Sequence, residues 1–314
     1  MRLSEEATFG FALPQLFPDR RVDRELITEA ARSAERLGYE ALWVQESPIG
    51  SVPMPHPLQV MPYVAALTNR VRLGVAVVVL SRHNPAEVAW QVAALDQVSD
   101  GRVTLGLGIG APHDNLPGLG MGRDRVVERF VEGVHVMKTL WSEGEEGFVG
   151  DIWQVGAERV IPAPLQRPHP PLVVGGGRPA AIRRAVSLGD GWIGAGASSL
   201  RDFVEQYPVV QAELELQGRD ASRFSITKRV YIALDENVPR ARERLSAALT
   251  MIYGDPQLCD RVGVYGGAER CREYLEELVV AGARHVVLNP LFDELEHVTA
   301  LAELAQLQAE NASA

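Results

Sequence analysis

The sequence is poor in cysteine, in basic charge and in long apolar runs. Only two cysteines occur in 314 residues, Cys259 and Cys271. A disulfide framework and a cysteine-built zinc cluster are both excluded by that count. Cys271 shares helical spacing with Leu275 and Leu278, which reads as a buried thiol. Lys and Arg total 31 against 41 Asp and Glu, a formal net charge of −10. So acidic a chain lacks the basic face that nucleic acid or an anionic membrane requires. No apolar run is long enough to span a bilayer. The stretch MRLSEEATFGFALPQ lacks the charged-then-apolar order of a secretory signal, so a reducing, cytoplasmic setting is expected. HExxH, the GxSxG nucleophile elbow, a P-loop and Cys–His pairing are missing as well. Metal and nucleophile chemistry therefore have no positive support. Chemistry would come from a bound cofactor acting on a small molecule.

What is present is a regular alternation. Hydrophobic content of 46% and charged content of 23% are ordinary for a globular protein, and the length admits one large α/β barrel or two domains. Strand-like runs fall at residues 9–13, 41–46, 71–80, 102–110, 172–174, 191–196, 224–234 and 285–290. Between them lie helical patterns: Leu26, Ile27, Ala30, Ala31, Ala34 and Leu37; then Val88, Val92, Leu95 and Val98; then Val127, Phe130, Val131, Val134, Met137 and Trp141. Residues 71–80 are apolar on both faces, as a buried parallel strand requires. Eight strands alternating with helices predict an α/β fold, a (β/α)₈ TIM barrel, with a doubly wound sheet as the competitor. We read one domain over residues 1–314, with insertions at about 111–124, 143–171 and 197–223, the second holding a hairpin around FVGDIWQV.

In a barrel, binding groups sit on loops at the carboxyl ends of the strands. That rule selects Pro14-Gln15, Glu46-Ser47, residues 76–84, 108–114, 175–178, 194–199 and 228–231, and Asn289. The strongest signal is PLVVGGGRPAAIRRA, where Gly175, Gly176 and Gly177 link a strand to a helix that opens on Pro179. Bare amides at a helix amino end form an anion site, and Arg178 can add a charge-assisted contact to a phosphate. The alternative is a tight turn without ligand. LGLGIG, ending on Ile109 and Gly110, reads as small residues against which a flat ring lies, or as glycines easing barrel packing. It lacks the downstream acidic residue of a dinucleotide fingerprint. His83, Asn84, His113 and Asp114 lie near the same mouth, where each histidine is either functional or a plain surface residue. Lys228 is the interior lysine candidate that a cofactor-free lyase or isomerase would want.

Together these segments resemble the bacterial luciferase-like family of flavin- and coenzyme F420-dependent oxidoreductases. The resemblance is carried by RLGVAVVVLSRHNPAEVAWQVAALDQVSDGRVTLGLGIG, by PAPLQRPHPPLVVGGGRPAAIRRAVSLGDGW and by GGAERCREYLEELVVAGARHVVLNP. It implies a barrel mouth holding F420 or FMN, with the phosphate on Gly175 to Gly177. It implies a cis peptide between Ala76 and Val77 beneath the ring, with Asn84, Ile109 and Gly110 among the cofactor-lining positions. Glu46 stands where F420-using relatives often carry aspartate, and Ser47 where several carry an acid/base histidine. Proton transfer then falls to Ser47, His83, His113 or His56, or to no protein group. The resemblance implies hydride transfer between a small organic substrate and F420. FMN-dependent monooxygenation is its alternative, and a non-catalytic flavin-binding protein stands outside both. A homodimer is expected from the resemblance only.

Overall fold

The computed structural model describes residues 2–47, 52–110, 124–144 and 146–308. Its strands are β1 (Thr8–Ala12), β2 (Ala41–Val44), β3 (Arg72–Val79), β4 (Val103–Gly108), β5 (Phe148–Val149), β6 (Gln154–Val155), β7 (Leu172–Gly175), β8 (Gly191–Gly194), β9 (Ser225–Leu234), β10 (Gly263–Gly266) and β11 (His285–Asn289). Parallel pairing runs β11–β1–β2–β3–β4–β7–β8–β9, and β9 returns to β11. The sheet therefore closes into an eight-stranded barrel, as the alternation predicts. Helices fill the crossovers. Arg24–Arg36, for example, starts where Asp23 accepts from the Leu26 amide (2.9 Å) and buries Ile27, Ala30, Ala31 and Ala34.

Three expectations need correction. Residues 197–223 are not an insertion, because Leu200–Leu216 is a helix of the barrel ring, opened by a capping box between Ser199 and Asp202. Val98 and Val127 do not share the buried faces of their helices; they are 66% and 39% exposed. A further strand goes unread in the sequence: β10 pairs with residues 231–234 of β9, above the part of β9 that closes the barrel. The hairpin in 143–171 is present as β5–β6. The Glu132 carboxylate ties its turn by accepting from the amides of Asp151, Ile152 and Trp153. Both cysteines are buried, and burial pushes Cys271 up to about 12.

The barrel interior is small and apolar. Ala12, Ala41, Trp43, Ala76, Val173, Ile193 and Val287 form one cluster there. Trp43 occupies the space that side chains at residues 10 and 74 would need; a Cβ at Gly74 would lie 2.3 Å from Trp43 Cε3. The indole Nε1–H donates to His285 Nε2 at 2.9 Å, and His285 Nδ1 lies 2.7 Å from Thr8 Oγ1. An Nε2 that accepts requires a neutral ring with its proton on Nδ1.

Burial pushes His285 from 6.5 down to about 4. Between those values the unfolded chain binds a proton that the folded ring refuses. Stability is therefore lost as pH falls through this window, by about 3 kcal/mol once below it. Urea unfolding at pH 7 and pH 4 should show His285→Gln losing less stability than wild type by about that amount. Equal losses would remove His285 as the cause.

Candidate active site

Two features of the barrel mouth come directly from backbone. In β3, the pairing with β4 passes from Val75 opposite Leu105 to Val78 opposite Leu107, so two residues face one. Ala76 and Val77 form this bulge, and the peptide bond between them is cis, as the resemblance implies. The glycines of LGLGIG serve this bulge. A Cβ at Gly106 would lie 2.2 Å from the Val75 carbonyl oxygen, and one at Gly108 would lie 2.7 Å from Val77 Cγ2. The packing reading of that motif therefore holds at Gly106 and Gly108, whose open faces are filled by β3. Ile109 is partly buried and its carbonyl accepts from Ser81 Oγ (2.8 Å); Gly110 takes φ +82°.

The second feature is the glycine turn. Gly176 has φ +153°, and a Cβ there would lie 2.5 Å from that of Ala181. Its carbonyl accepts from the indole Nε1–H of fully buried Trp192 at 2.6 Å, which pins the turn. The following helix, Pro179–Leu188, has no acidic residue in its first turn and no side-chain cap at Arg178. That arrangement leaves its amino end electropositive. Gly175 faces the bulge, its Cβ position 3.4 Å from Val77 Cγ1. The turn and the bulge are thus adjacent parts of one surface.

The polar side chains gather beside the bulge. Glu46, 6% exposed at its side chain, accepts from the Val79 amide (2.7 Å), Arg82 Nη1 (3.3 Å) and His83 Nε2 (3.1 Å to each oxygen). Burial alone would raise the Glu46 carboxyl. The hydrogen bond and charge of His83, the Val79 amide and Arg82 outweigh it and hold Glu46 below the ordinary carboxylate range. The His56 ring stands edge-on to His83 at 5.7 Å, and burial pushes His56 down. Ser47 is next to this group, with its Oγ buried and without a hydrogen-bond partner. Asn84 is exposed and caps the helix Pro85–Val98, accepting from the Ala86 amide at 2.9 Å. His113 and Asp114 lie outside the described residues.

On the other side of the mouth, a cleft is lined by Gln15, Trp43, Gln45, Met54, Arg229, Asn289 and Glu294. Gln15 and Gln45 interlock: Gln15 Oε1 accepts from the Gln45 amide (2.6 Å) and Gln15 Nε2 donates to the Gln45 carbonyl (3.1 Å). Arg229 donates to Gln45 Oε1 and to the Ala76 carbonyl. Arg229 lies in the 228–231 segment selected at the strand end, and the signal for it in the sequence is a Lys-Arg pair inside an apolar strand. Lys228 is not directed into the mouth. Its ammonium donates to Ala195 O (2.7 Å), Ser198 O (2.6 Å) and Ser198 Oγ (2.9 Å), holding the loop after β8, and burial pushes it down to about 7.

A closed parallel barrel with a glycine turn at a helix amino end beside a bulged strand defines the class, an α/β barrel with a shelf at its mouth. A sequence profile described as luciferase-like monooxygenase matches residues 10–286. The chain belongs to this family. It is 31% identical over 226 residues to an F420-dependent glucose-6-phosphate dehydrogenase of Kineococcus radiotolerans, covering 69% of this chain and 66% of the relative, just under two thirds of its length. The fold is shared with an F420-dependent secondary alcohol dehydrogenase solved with an F420–acetone adduct (TM-score 0.81, 20% identity, 95% of this chain and 98% of that one). It is shared equally with a monooxygenase from Streptomyces bottropensis (TM-score 0.80, 21% identity, 94% of this chain and 98% of that one). Among the described residues, no helix is long and apolar enough to cross a membrane.

Proposed function

We propose that the protein moves a hydride between a small organic substrate and coenzyme F420. One observation carries this reading: the pinned, uncapped glycine turn lies against the Ala76–Val77 bulge, so an anionic tail and a flat ring find adjoining seats. The residues fit such a group. Gly176 and Gly177 leave the turn without side chains, and the buried Ser47 Oγ and Arg229 Nε face the mouth without partners. The 31% identical relative, named as F420-dependent, supports F420 over FMN. When bound, the cofactor supplies a carbon centre that accepts or returns a hydride.

The chain's own residues supply the rest. The amides of residues 175–177, with Arg178, hold the phosphate, and the bulge backs the ring. Glu46 accepts the Nε2–H of His83, which leaves Nδ1 as the base. That Nδ1 takes the substrate hydroxyl proton in oxidation and returns it in reduction, the work that Ser47 cannot do as a free hydroxyl. A cofactor-free lyase is disfavoured, because Lys228 is committed to the Ala195–Ser198 loop.

Titration with F420 and with FMN, followed by tryptophan fluorescence, tests the reading, with Trp192 on the turn and Trp43 under the mouth as reporters. Saturable F420 binding tighter than FMN binding is the expected result. Tighter FMN binding reverses the choice of cofactor, and no binding of either ends the proposal. Turnover with reduced or oxidised F420 is then assayed on secondary alcohols and sugar phosphates, the classes named for the relatives. Its absence across both classes would favour a non-catalytic binder.

A further inference from the structure

We propose that Arg229 is the counter-charge for the ring end of the cofactor, binding the anionic pyrimidine edge of its reduced form. This rests on the reading that the mouth holds F420 or FMN. Arg229 is 6% exposed, and its guanidinium bonds go to neutral acceptors, Gln45 Oε1 and the Ala76 carbonyl. Its Nε–H is buried with no partner, and among the described residues no carboxylate pairs with it. Among the described residues, Glu294 is the one carboxyl lining the same cleft. Burial pushes that carboxyl up to about 7, so near neutrality it supplies only a partial charge. A buried cation without a counter-ion is costly in the free protein. It becomes favourable when a ligand brings a negative charge to it.

Position identifies which part of the ligand does so. From the glycine turn the surface runs through Gly175 to Val77, then Ala76, then Arg229, which bonds the Ala76 carbonyl itself. The anionic tail is held at one end of this track and the guanidinium stands at the other. The chemistry agrees. A substrate alcohol gives up a hydride and a hydroxyl proton to become a carbonyl. The hydride adds two electrons and one hydrogen nucleus to the ring, which gains one negative charge, delocalised over N1 and the C2 carbonyl. The hydroxyl proton goes to His83. Arg229 then stabilises the reduced ring over the oxidised one, and the protein draws the cofactor toward reduction. A cation near N1 is one of the few levers a protein has on such a ring.

The test compares affinities, without turnover. Wild type, Arg229→Met and Arg229→Lys are titrated anaerobically with oxidised and with reduced F420 under tryptophan fluorescence, with thermal melts to confirm folding. Arg229→Met should bind the reduced form ~10- to 100-fold more weakly, as expected for loss of a hydrogen bond to a charged group. Its affinity for the oxidised form should stay within a few-fold of wild type. Arg229→Lys should recover most of the preference, and it carries the comparison if the methionine variant does not fold. An equal loss for both forms, or no loss in either, overturns the proposal while leaving the cofactor reading intact. A loss of affinity confined to the oxidised form also overturns it. Failure of wild type to bind either form overturns the cofactor reading and this proposal with it.

Discussion

Gly177→Asp should lose cofactor affinity by at least ~100-fold, while Gly177→Ala stays within a few-fold of wild type. Two unit charges about 4 Å apart in protein surroundings repel by about 4 kcal/mol, roughly a thousandfold in a dissociation constant; local adjustment of the aspartate returns part of that. The alanine control matters because both variants add the same Cβ. At Gly177 the three nearest atoms to that Cβ all belong to the amide end of the Gln206 side chain, Nε2 nearest at 2.5 Å, which can move. Gly176 is the poorer site for this comparison. Its φ of +153° and the nearby Ala181 Cβ would strain any replacement and confuse charge with distortion. Isothermal titration with F420 measures both variants. Equal affinities for the two would remove the phosphate from the turn.

His83→Gln should lower kcat by about 100-fold, the lower range for a positioned acid or base, and leave F420 affinity nearly unchanged. Glutamine keeps a donor for Glu46 and loses the proton acceptor. The ion pairing of Glu46 with Arg82 and its bond to the Val79 amide persist, so the local fold is retained. The expected signature is therefore a loss in kcat with an intact melting temperature. Turnover close to wild type would place the proton on another group. His56 is the nearest candidate, standing edge-on to His83.

The barrel is legible in the sequence because its signals are local. A run apolar on both faces announces β3, and a glycine turn followed by Pro179 announces the strand-to-helix seat beside it. Other elements are masked by local chemistry. Pro208 lies inside the helix Leu200–Leu216 and breaks its pattern, so the segment reads as an insertion. β10 has four residues, two of them glycine, and offers no strand pattern. The glycines of LGLGIG look like room for a ligand until the bulge of β3 is seen to fill it.

The polar site divides the same way. Glu46 and His83 can be nominated singly from strand ends, but their 3.1 Å contact comes from the close of β2 meeting the turn after β3. Arg229 takes its meaning from Gln45 and Ala76, 184 and 153 residues away in sequence. No window of sequence contains that juxtaposition. A charge in a strand interior signals only that something must compensate it.

A crystal structure of the protein soaked with F420 tests the central claim most directly. Density for the phosphate is expected within hydrogen-bonding distance of the residue 175–177 amides, with the ring on the Ala76–Val77 shelf. Cofactor bound at another surface, with this turn bare at full occupancy, would contradict it.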